Sequence, residues 1–316
     1  MNKKIEKNID LMIIGAGPAG LTATIYAARA KLNSITLENG IIGGQIKDSY
    51  VVENYPGFIT ISGEELVNKM TKQCENVEGV IDEFDEIVSV KLTNDEKIVE
   101  TKKCIYKPLA VIIATGAKHR ELPIKEEKKF HGRGIHYCEL CDGALYQGKD
   151  IIVVGGGNSA LQAAKYLSKY GKSITLIHML DYFQADKQNQ EEFKKLRDIK
   201  VILNSIIQGV NGEDKIEEVI IKNVKSGDIS TIKTDGIFVY IGLEPNTELF
   251  KKYIKLNKSG YIITDEGTNT NIEGIYAAGD VRQKDIRQLT TAVSDGSVAA
   301  LCAEKYINKI KLDKER

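Results

Sequence analysis

The sequence has no excess of charge of either sign and no long hydrophobic run. Its 316 residues carry 44 lysines and arginines against 44 aspartates and glutamates, so the formal net charge is zero. Such a chain has no overall field to attract a polyanion, and we expect no nucleic-acid partner. The apolar residues 11–14 near the N-terminus are too few for a signal-peptide core or a membrane span. These absences predict a cytoplasmic protein with no membrane partner.

Cysteine is scarce, and its five positions do not form the disulfide framework of a secreted protein. Only Cys138 and Cys141 are close in sequence, while Cys74, Cys104 and Cys302 are scattered. A structural zinc site needs four ligands, and the scattered cysteines have no paired spacing that could complete one. We therefore expect no metal site, and the paired cysteines need another explanation.

A glycine-rich turn lies near the N-terminus between an apolar strand and a helix. The strand at residues 9–14 ends at Gly15-Ala16-Gly17-Pro18-Ala19-Gly20, and a helix at 21–30 and a strand at 34–37 follow. In such a unit the glycines permit a tight turn, close approach of a pyrophosphate, and close packing of helix and strand. The phosphates lie at the positive end of the helix dipole. Glu38 ends the second strand, where a carboxylate can accept both ribose hydroxyls.

The same unit recurs in the middle of the chain. A strand at 151–154 leads into Gly155-Gly156-Gly157-Asn158-Ser159-Ala160, and a helix to about Tyr170 and a strand at 173–177 follow. Two such units predict an α/β fold with two Rossmann-like domains of the FAD/NAD(P)-binding type, the second inserted in the first. We place the discontinuous domain at residues 1–116 and 243–316 and the inserted domain at 117–242.

Two further loops end predicted strands at the edge where ligands of open α/β sheets bind. Thr115 and Gly116 close the strand at 110–113, and Gly279 and Asp280 follow an apolar segment near the C-terminus. An aspartate at that edge can hold a ribityl hydroxyl. A buried strand is also predicted at 236–242.

These motifs, in this order, resemble the low-molecular-weight thioredoxin reductase family along essentially the whole chain. The resemblance rests on the first glycine-rich turn, Gly43-Gly44-Gln45, Glu53-Asn54-Tyr55-Pro56-Gly57, Cys138-Glu139-Leu140-Cys141-Asp142-Gly143, and Gly279-Asp280-Val281 followed by Arg287-Gln288-Leu289. It implies FAD in the discontinuous domain, a redox disulfide in the inserted domain, a homodimer, and thioredoxin as the substrate.

The resemblance also implies roles for single residues. Cys138 and Cys141 would exchange with a partner disulfide, and Asp142 would protonate a leaving thiolate. Arg287 and Gln288 would lie along the flavin and pyrophosphate, and Gln45 and Asn54 near the flavin ring. The other implied FAD contacts are Gly15, Gly17, Pro18, Ala19, Gly20, Glu38, Gly43, Gly44, Thr115, Gly116, Gly279, Asp280 and Leu289.

Simpler interpretations stay open for Asp142, Arg287 and His136. Asp142 precedes Gly143 and could be a surface residue of a turn, and Arg287 could form a surface salt bridge. His136 could tune a thiolate, but we expect it to be a polar loop residue.

The second glycine-rich unit departs from the family where NADPH binds. NADPH-dependent members follow the second strand with a His-Arg-Arg stretch and a later arginine, which grip the 2′-phosphate. The corresponding segment here is His178-Met179-Leu180-Asp181-Tyr182-Phe183-Gln184. The position that corresponds to Glu38 is His178, so no carboxylate is placed for the ribose of NADH either. The chain therefore most resembles the ferredoxin-dependent flavin thioredoxin reductases, which implies ferredoxin as the electron donor.

Two other functions stay open at this stage. One is an NADPH- or NADH-dependent thioredoxin reductase with an atypical grip, for example NADH held by Asp181 and the backbone. The other is a non-catalytic flavin redox sensor, in which FAD and the cysteine pair report redox state to a partner protein. Reduction of the flavin by a pyridine nucleotide would identify the first, and an absence of catalytic turnover would identify the second.

Overall fold

The computed structural model describes residues 4–49, 52–196 and 199–315, which form two compact units. Of the described residues, unit 1 comprises those within 1–49, 61–118 and 244–316, and unit 2 comprises those within 50–60 and 119–243. Unit 1 contains a mixed sheet packed against helices, and unit 2 contains a parallel sheet with a helix on one face and a small antiparallel sheet on the other. The predicted α/β fold with two Rossmann-like domains is confirmed.

The chain enters unit 1 with a parallel strand–helix–strand and continues with an antiparallel extension. Its elements are β1 (Ile5–Ile14), α1 (Pro18–Arg29), β2 (Ser34–Glu38), α2 (Gly63–Asn76), β3 (Ile81–Glu83), β4 (Ile87–Leu92), β5 (Lys97–Thr101) and β6 (Cys104–Ile113). The chain then passes to unit 2 through β7 (Ala117–His119).

Unit 2 repeats the pattern and adds a small antiparallel sheet. Its elements are α3 (Glu127–Phe130), β8 (Ile135–His136), α4 (Glu139–Asp142), β9 (Asp150–Val154), α5 (Asn158–Leu167), β10 (Ser173–Ile177), α6 (Lys187–Lys194), β11 (Ile199–Ile202), β12 (Ser205–Asn211), β13 (Glu218–Asn223), β14 (Ile229–Lys233) and β15 (Gly236–Val239). The chain returns through β16 (Leu243–Pro245) and ends with β17 (Ile275–Ala277) and α7 (Leu289–Glu315).

The sheet of unit 1 has the strand order β3-β2-β1-β6-β5-β4, and β17 pairs in parallel with β6. β1 is parallel to both β2 and β6. Alternate residues of β1 contribute to opposite cores: Leu11 and Ile13 pack with alanines of α1 and α7, and Met12 and Ile14 pack with Phe250. Because β1, β6 and β17 are parallel, their carboxyl ends meet at one edge of this sheet.

The sheet of unit 2 is parallel in the order β11-β10-β9-β15-β8. Apolar residues of α5 cover one face, and the antiparallel sheet β12-β13-β14 covers the other. Two predicted elements are shorter than expected. Helix α5 ends at Leu167 rather than at about Tyr170, and strand β15 ends at Val239 rather than at residue 242. Among the residues that the structure describes, no helix combines the length and apolar content that a membrane crossing needs.

Substitution of Phe250 by alanine tests the contribution of the unit 1 core to stability. The side chain is fully buried against Ile254 and Ile262, whereas the neighbouring Leu249 is 43% exposed. We expect Phe250→Ala to lower the free energy of unfolding by about 3 to 5 kcal/mol, because it leaves a cavity. Urea denaturation would measure this, with Leu249→Ala as the control. Equal losses in the two variants would contradict the assigned core.

Candidate functional site

The first glycine-rich turn combines two tightly packed glycines with one open glycine. A Cβ added to Gly15 would lie 2.5 Å from the carbonyl oxygen of Ala114, and one added to Gly20 would lie 1.8 Å from that of Gly15. Gly17 differs, because the nearest atom is the Cα of Gly44 at 3.9 Å. Gly17 precedes α1, and no side chain caps that helix. The first backbone N–H groups of α1 are thus available to an anion such as a pyrophosphate.

The carboxylate of Glu38 is fixed at the end of β2 by two backbone groups. Its Oε2 accepts a hydrogen bond from the Ala16 N–H at 2.8 Å, and its Oε1 accepts one from the Gly40 N–H at 2.9 Å. Each carboxylate oxygen has a further lone pair for a hydroxyl donor. This is the position that the sequence predicts for a ribose.

Asp280 lies in a 3₁₀ turn directly after β17 and has a buried oxygen atom without a hydrogen-bond partner among the described residues. That atom is Oδ1, and the Lys284 ammonium is 3.7 Å from it. Burial raises the pKa of the Asp280 carboxyl, although Lys284 and Arg287 oppose the shift. A buried acceptor of this kind is satisfied by a ligand hydroxyl, which fits the ribityl chain of FAD.

Side chains on α7 and in the preceding loop hold the Asp280 turn in place. The Asp295 carboxylate accepts the Gly279 N–H at 3.0 Å and pairs with the Arg282 guanidinium at 2.6 Å and the Lys284 ammonium at 2.9 Å. The sequence did not single out Asp295, because its partners precede it by a loop and only the folded turn brings them together.

Arg287 contacts an aromatic ring and backbone carbonyls. Its guanidinium lies 4.1 Å from the centre of the Tyr261 ring and donates to the carbonyls of Asp280 and Arg282. The next residue, Gln288, donates its backbone N–H to the Thr291 hydroxyl at the start of α7, which begins at Leu289. These residues thus lie next to the Asp280 turn.

The remaining residues predicted to contact FAD lie in two parts of the chain, unit 1 and segment 50–60. Gly43 donates its N–H to the Ala16 carbonyl, the Gln45 amide donates to the Ala117 carbonyl, and the Thr115 hydroxyl donates to the Asn246 carbonyl at 2.7 Å. All of these groups belong to unit 1. Asn54 lies in segment 50–60, outside the unit that carries the others. Asn246, which also donates to the Thr115 carbonyl, escaped the sequence analysis because it is distant along the chain.

Cys138 and Cys141 are joined in a disulfide at the start of α4, with their Cα atoms 5.3 Å apart. The other cysteines are separate: Cys74 and Cys104 are buried and Cys302 is half-buried. Burial raises the pKa of the Cys74 thiol to about 12, which leaves it unreactive near neutral pH. Within the described ranges no cluster of three or more histidine, cysteine or acidic residues is placed to hold a metal ion.

Two polar residues beside the disulfide are buried, contrary to their simpler interpretations. Asp142 ends α4 and is 8% exposed, so it is not a surface turn residue. His136 lies on β8 and is 4% exposed, so it is not a loop residue. The His136 Nδ1 is 3.2 Å from the Asp142 Oδ2. A strand of only two residues has no periodicity by which the burial of His136 could be recognised from the sequence.

Packing accounts for two glycines of the second turn. A Cβ added to Gly155 would lie 2.2 Å from the Tyr240 carbonyl oxygen, and one added to Gly156 would lie 2.4 Å from the His178 ring. Gly157 has open space around it. The Gly156 carbonyl accepts the backbone N–H groups of Gln184 and Ala185, so the segment after β10 folds back onto the turn.

The end of β10 presents no positive side chain where the family grips a 2′-phosphate. His178 is buried and stacks on Phe183, and burial lowers its pKa. Met179 is 57% exposed, and Gln184 is also exposed. The Asp181 carboxylate, which an atypical NADH grip would use, pairs with the Lys225 ammonium at 2.6 Å.

Comparisons with known proteins agree with this arrangement. The family model described as "Pyridine nucleotide-disulphide oxidoreductase" matches residues 9–296. The chain is 60% identical to a "34.2 kDa protein in rubredoxin operon" of Clostridium pasteurianum, over 96% of this chain and 99% of that protein. It is 39% identical to a thioredoxin reductase of Bacillus subtilis (strain 168), over 97% of each chain. A solved thioredoxin reductase structure from Streptococcus pyogenes MGAS5005 is 40% identical, with a TM-score of 0.89 over 96% of this chain and 99% of that one.

Replacement of Asp280 by alanine tests whether its unpartnered oxygen holds a ligand hydroxyl. A hydrogen bond to a charged group contributes about 1.5 to 3 kcal/mol, so we expect FAD to bind on the order of 10- to 100-fold more weakly. The ratio of FAD to protein after purification, and a titration of the apoprotein with FAD, would measure this. Asp285→Ala is the control, because Asp285 is exposed in the same loop. Unchanged FAD affinity in Asp280→Ala would contradict the assignment.

Proposed function

The chain belongs to the low-molecular-weight thioredoxin reductases of the pyridine nucleotide-disulphide oxidoreductase family, and we propose that reduced ferredoxin, rather than NADPH, is its electron donor. FAD held by unit 1 would supply the electrons that reduce the Cys138–Cys141 disulfide, and the resulting dithiol would reduce thioredoxin. The observation that carries the choice of donor is the end of β10, where Met179, Leu180 and Gln184 stand in place of three arginines.

The loss of these arginines removes most of the affinity for a 2′-phosphate. Each charge-assisted contact contributes roughly 1.5 to 3 kcal/mol, so three lost contacts weaken binding by several powers of ten if they are even partly additive. A 2′-phosphate would instead approach the Asp181 carboxylate. The Lys225 ammonium pairs with that carboxylate at 2.6 Å.

NADH is not favoured either. In unit 1 the ribose position is a carboxylate, Glu38, held by the backbone of the glycine turn. The corresponding side chain of unit 2 is the buried ring of His178, packed against Gly156. Asp181 follows three positions later and pairs with Lys225. Gly155 and Gly156 are tightly packed, but Gly157 is open before the uncapped helix α5, as Gly17 is before α1. The turn therefore does not distinguish the two units, and it is the side chains at the end of β10 that disfavour a dinucleotide.

FAD fits the residues of unit 1. The open turn at Gly17 and the start of α1 would receive the pyrophosphate, Glu38 the adenosine ribose, and Asp280 the ribityl chain. When bound, FAD supplies a carrier that accepts single electrons and passes two to a disulfide. In unit 2, Cys138 and Cys141 hold the two electrons as thiols, and Asp142 provides a proton to a leaving thiolate.

The choice of an iron-containing electron carrier has support from one relative. The 60% identical protein of Clostridium pasteurianum is named for a rubredoxin operon. An iron-containing one-electron carrier therefore suits this chain as a partner, and rubredoxin is a useful second donor in the assay below. The homodimer that the resemblance implies is part of the same proposal.

An anaerobic assay with reduced ferredoxin and oxidised thioredoxin tests this function. We expect many thioredoxin dithiols per FAD in the complete protein, counted with a thiol reagent after donor removal. Cys138→Ser and Cys141→Ser should abolish dithiol formation while ferredoxin still reduces the flavin, because only the disulfide step is lost. Cys302→Ser is the matched control, since that half-buried cysteine is free.

Three outcomes would contradict parts of the proposal. Flavin reduction by ferredoxin without thioredoxin turnover would favour the redox sensor. Turnover with rubredoxin but not with ferredoxin would identify rubredoxin as the electron donor instead of ferredoxin. Full activity in both cysteine variants would remove the disulfide from the electron path.

A further inference from the structure

A buried imidazole connects Asp142 to a phenol beside the redox disulfide. The Nδ1 of His136 is 3.2 Å from the Asp142 Oδ2, and its Nε2 is 2.8 Å from the Tyr146 hydroxyl. All three residues are buried: His136 is 4% exposed, Asp142 8% and Tyr146 7%. They come from β8, α4 and the 3₁₀ turn that follows α4.

Aromatic packing fixes the orientation of the His136 ring. The ring stacks on Phe238 of β15, with 5.3 Å between centroids, and meets the Tyr146 ring edge-on at 5.3 Å. Gly236 makes room for this arrangement, because a Cβ there would lie 2.1 Å from the Tyr146 ring. The imidazole is thus held with one nitrogen toward each polar partner.

The hydrogen-bond directions follow from the chemistry of the partners. The His136 Nδ1 lies at ion-pair distance, 3.2 Å, from the Asp142 Oδ2. A carboxylate only accepts, so a hydrogen bond between the two requires the hydrogen on Nδ1. Burial, together with the charges of Asp142 and Asp235, raises the pKa of the Tyr146 phenol. The phenol therefore keeps its proton and donates to Nε2 when the imidazole is neutral.

The Glu139 carboxylate, at the start of α4, has a hydrogen-bond partner of its own. The Glu139 carboxylate accepts a hydrogen bond from the Tyr240 hydroxyl, which in turn accepts the Glu139 backbone N–H. Burial and the Glu139 charge raise the pKa of Tyr240. Asp142, Asp235 and Glu139 are the negative groups that raise the pKa values of these phenols. The Lys149 ammonium lies 5.1 Å from the centre of the Tyr146 ring.

We propose that His136 is a positioning residue for dithiol exchange: it fixes the Asp142 carboxyl and shares one proton with it, so that the two side chains act as a single buried acid beside Cys141. This inference rests on the thioredoxin reductase function proposed above. It adds an imidazole to the proton transfer that the family resemblance implies for Asp142 alone.

The exchange balances with one proton on the His136–Asp142 pair. An enzyme thiolate attacks the partner disulfide, a mixed disulfide forms, and the leaving partner thiolate takes the proton of the pair. The pair then accepts the proton of the second enzyme thiol, whose sulfur attacks the mixed disulfide. The enzyme disulfide re-forms, and the second partner thiolate takes that proton. The enzyme is oxidised by two electrons and the partner becomes a dithiol.

A shared proton has a signature in the pH dependence of the thiols. Interacting acids titrate in macroscopic steps that belong to the group as a whole. In the reduced protein, loss of the proton from the pair adds a negative charge next to the cysteines and disfavours the thiolate. The reactivity of the thiols should therefore rise with pH in two steps.

Alkylation of the dithiothreitol-reduced, full-length protein with iodoacetamide tests the proposal. The rate at Cys138 and Cys141, measured by mass spectrometry from about pH 5 to about pH 9, should show two steps in the natural sequence. His136→Asn retains a donor near the Nδ1 position but cannot titrate. We expect one step, displaced by about one pH unit, which is a tenfold change in rate at intermediate pH.

Two further variants keep the test decisive. Tyr146→Phe retains the ring and removes only the partner of Nε2, so it should displace one of the two steps even if His136→Asn does not fold. His131→Asn is the matched control, because it alters a histidine of the same unit, 44% exposed and paired with Glu127, and should leave the profile unchanged. Superimposable profiles for the natural sequence and Tyr146→Phe, or for folded His136→Asn, would overturn the proposal.

The alkylation assay needs neither ferredoxin nor thioredoxin. A wrong electron donor would leave the two-step profile intact, whereas a wrong role for His136 would leave ferredoxin-driven turnover intact. The two failures are therefore distinguishable.

Discussion

Both units depend on a helix that begins almost in contact with the carboxyl end of a parallel sheet. In unit 1 a Cβ on Gly20 of α1 would lie 1.8 Å from the Gly15 carbonyl oxygen, and in unit 2 a Cβ on Gly155 would lie 3.1 Å from the Cβ of Ala160 on α5. This constraint brings a helix N-terminus and several strand ends to one edge of the sheet, which is where ligands of such folds bind. It says nothing about which ligand binds there.

The two edges differ in the side chains that fill them. In unit 1 a carboxylate, Glu38, is held ready by the backbone, and the Asp280 Oδ1 lacks a hydrogen-bond partner among the described residues. In unit 2 the corresponding strand end carries a buried imidazole, exposed uncharged side chains, and an aspartate already paired with Lys225. The same backbone turn therefore carries different side chains in the two units. The chemistry of unit 2 is concentrated instead at the disulfide and the buried His136–Asp142 pair.

Much of this organisation is readable from the sequence, because it depends on local signals. Apolar strands followed by glycine-rich turns identify the parallel strands and the helices α1 and α5. The absence of arginines after β10 can be read directly from the sequence. The environment of His136 is not readable, since its partner Phe238 lies on a strand that is neighbouring in the sheet but distant in the chain. The same limit applies to Asn246 against Thr115 and to Asp295 against the Asp280 turn. Such contacts are products of tertiary packing.

The central claim is that the pyridine-nucleotide end of the electron path has been lost while the flavin and disulfide ends remain. The most direct measurement is an anaerobic titration of the purified flavoprotein with NADPH and, separately, with NADH, following flavin absorbance, with photoreduction as the positive control. We expect that neither nucleotide bleaches the flavin and that light reduces it completely. Bleaching at stoichiometric NADPH or NADH would contradict the account and identify the protein as a pyridine-nucleotide-dependent enzyme.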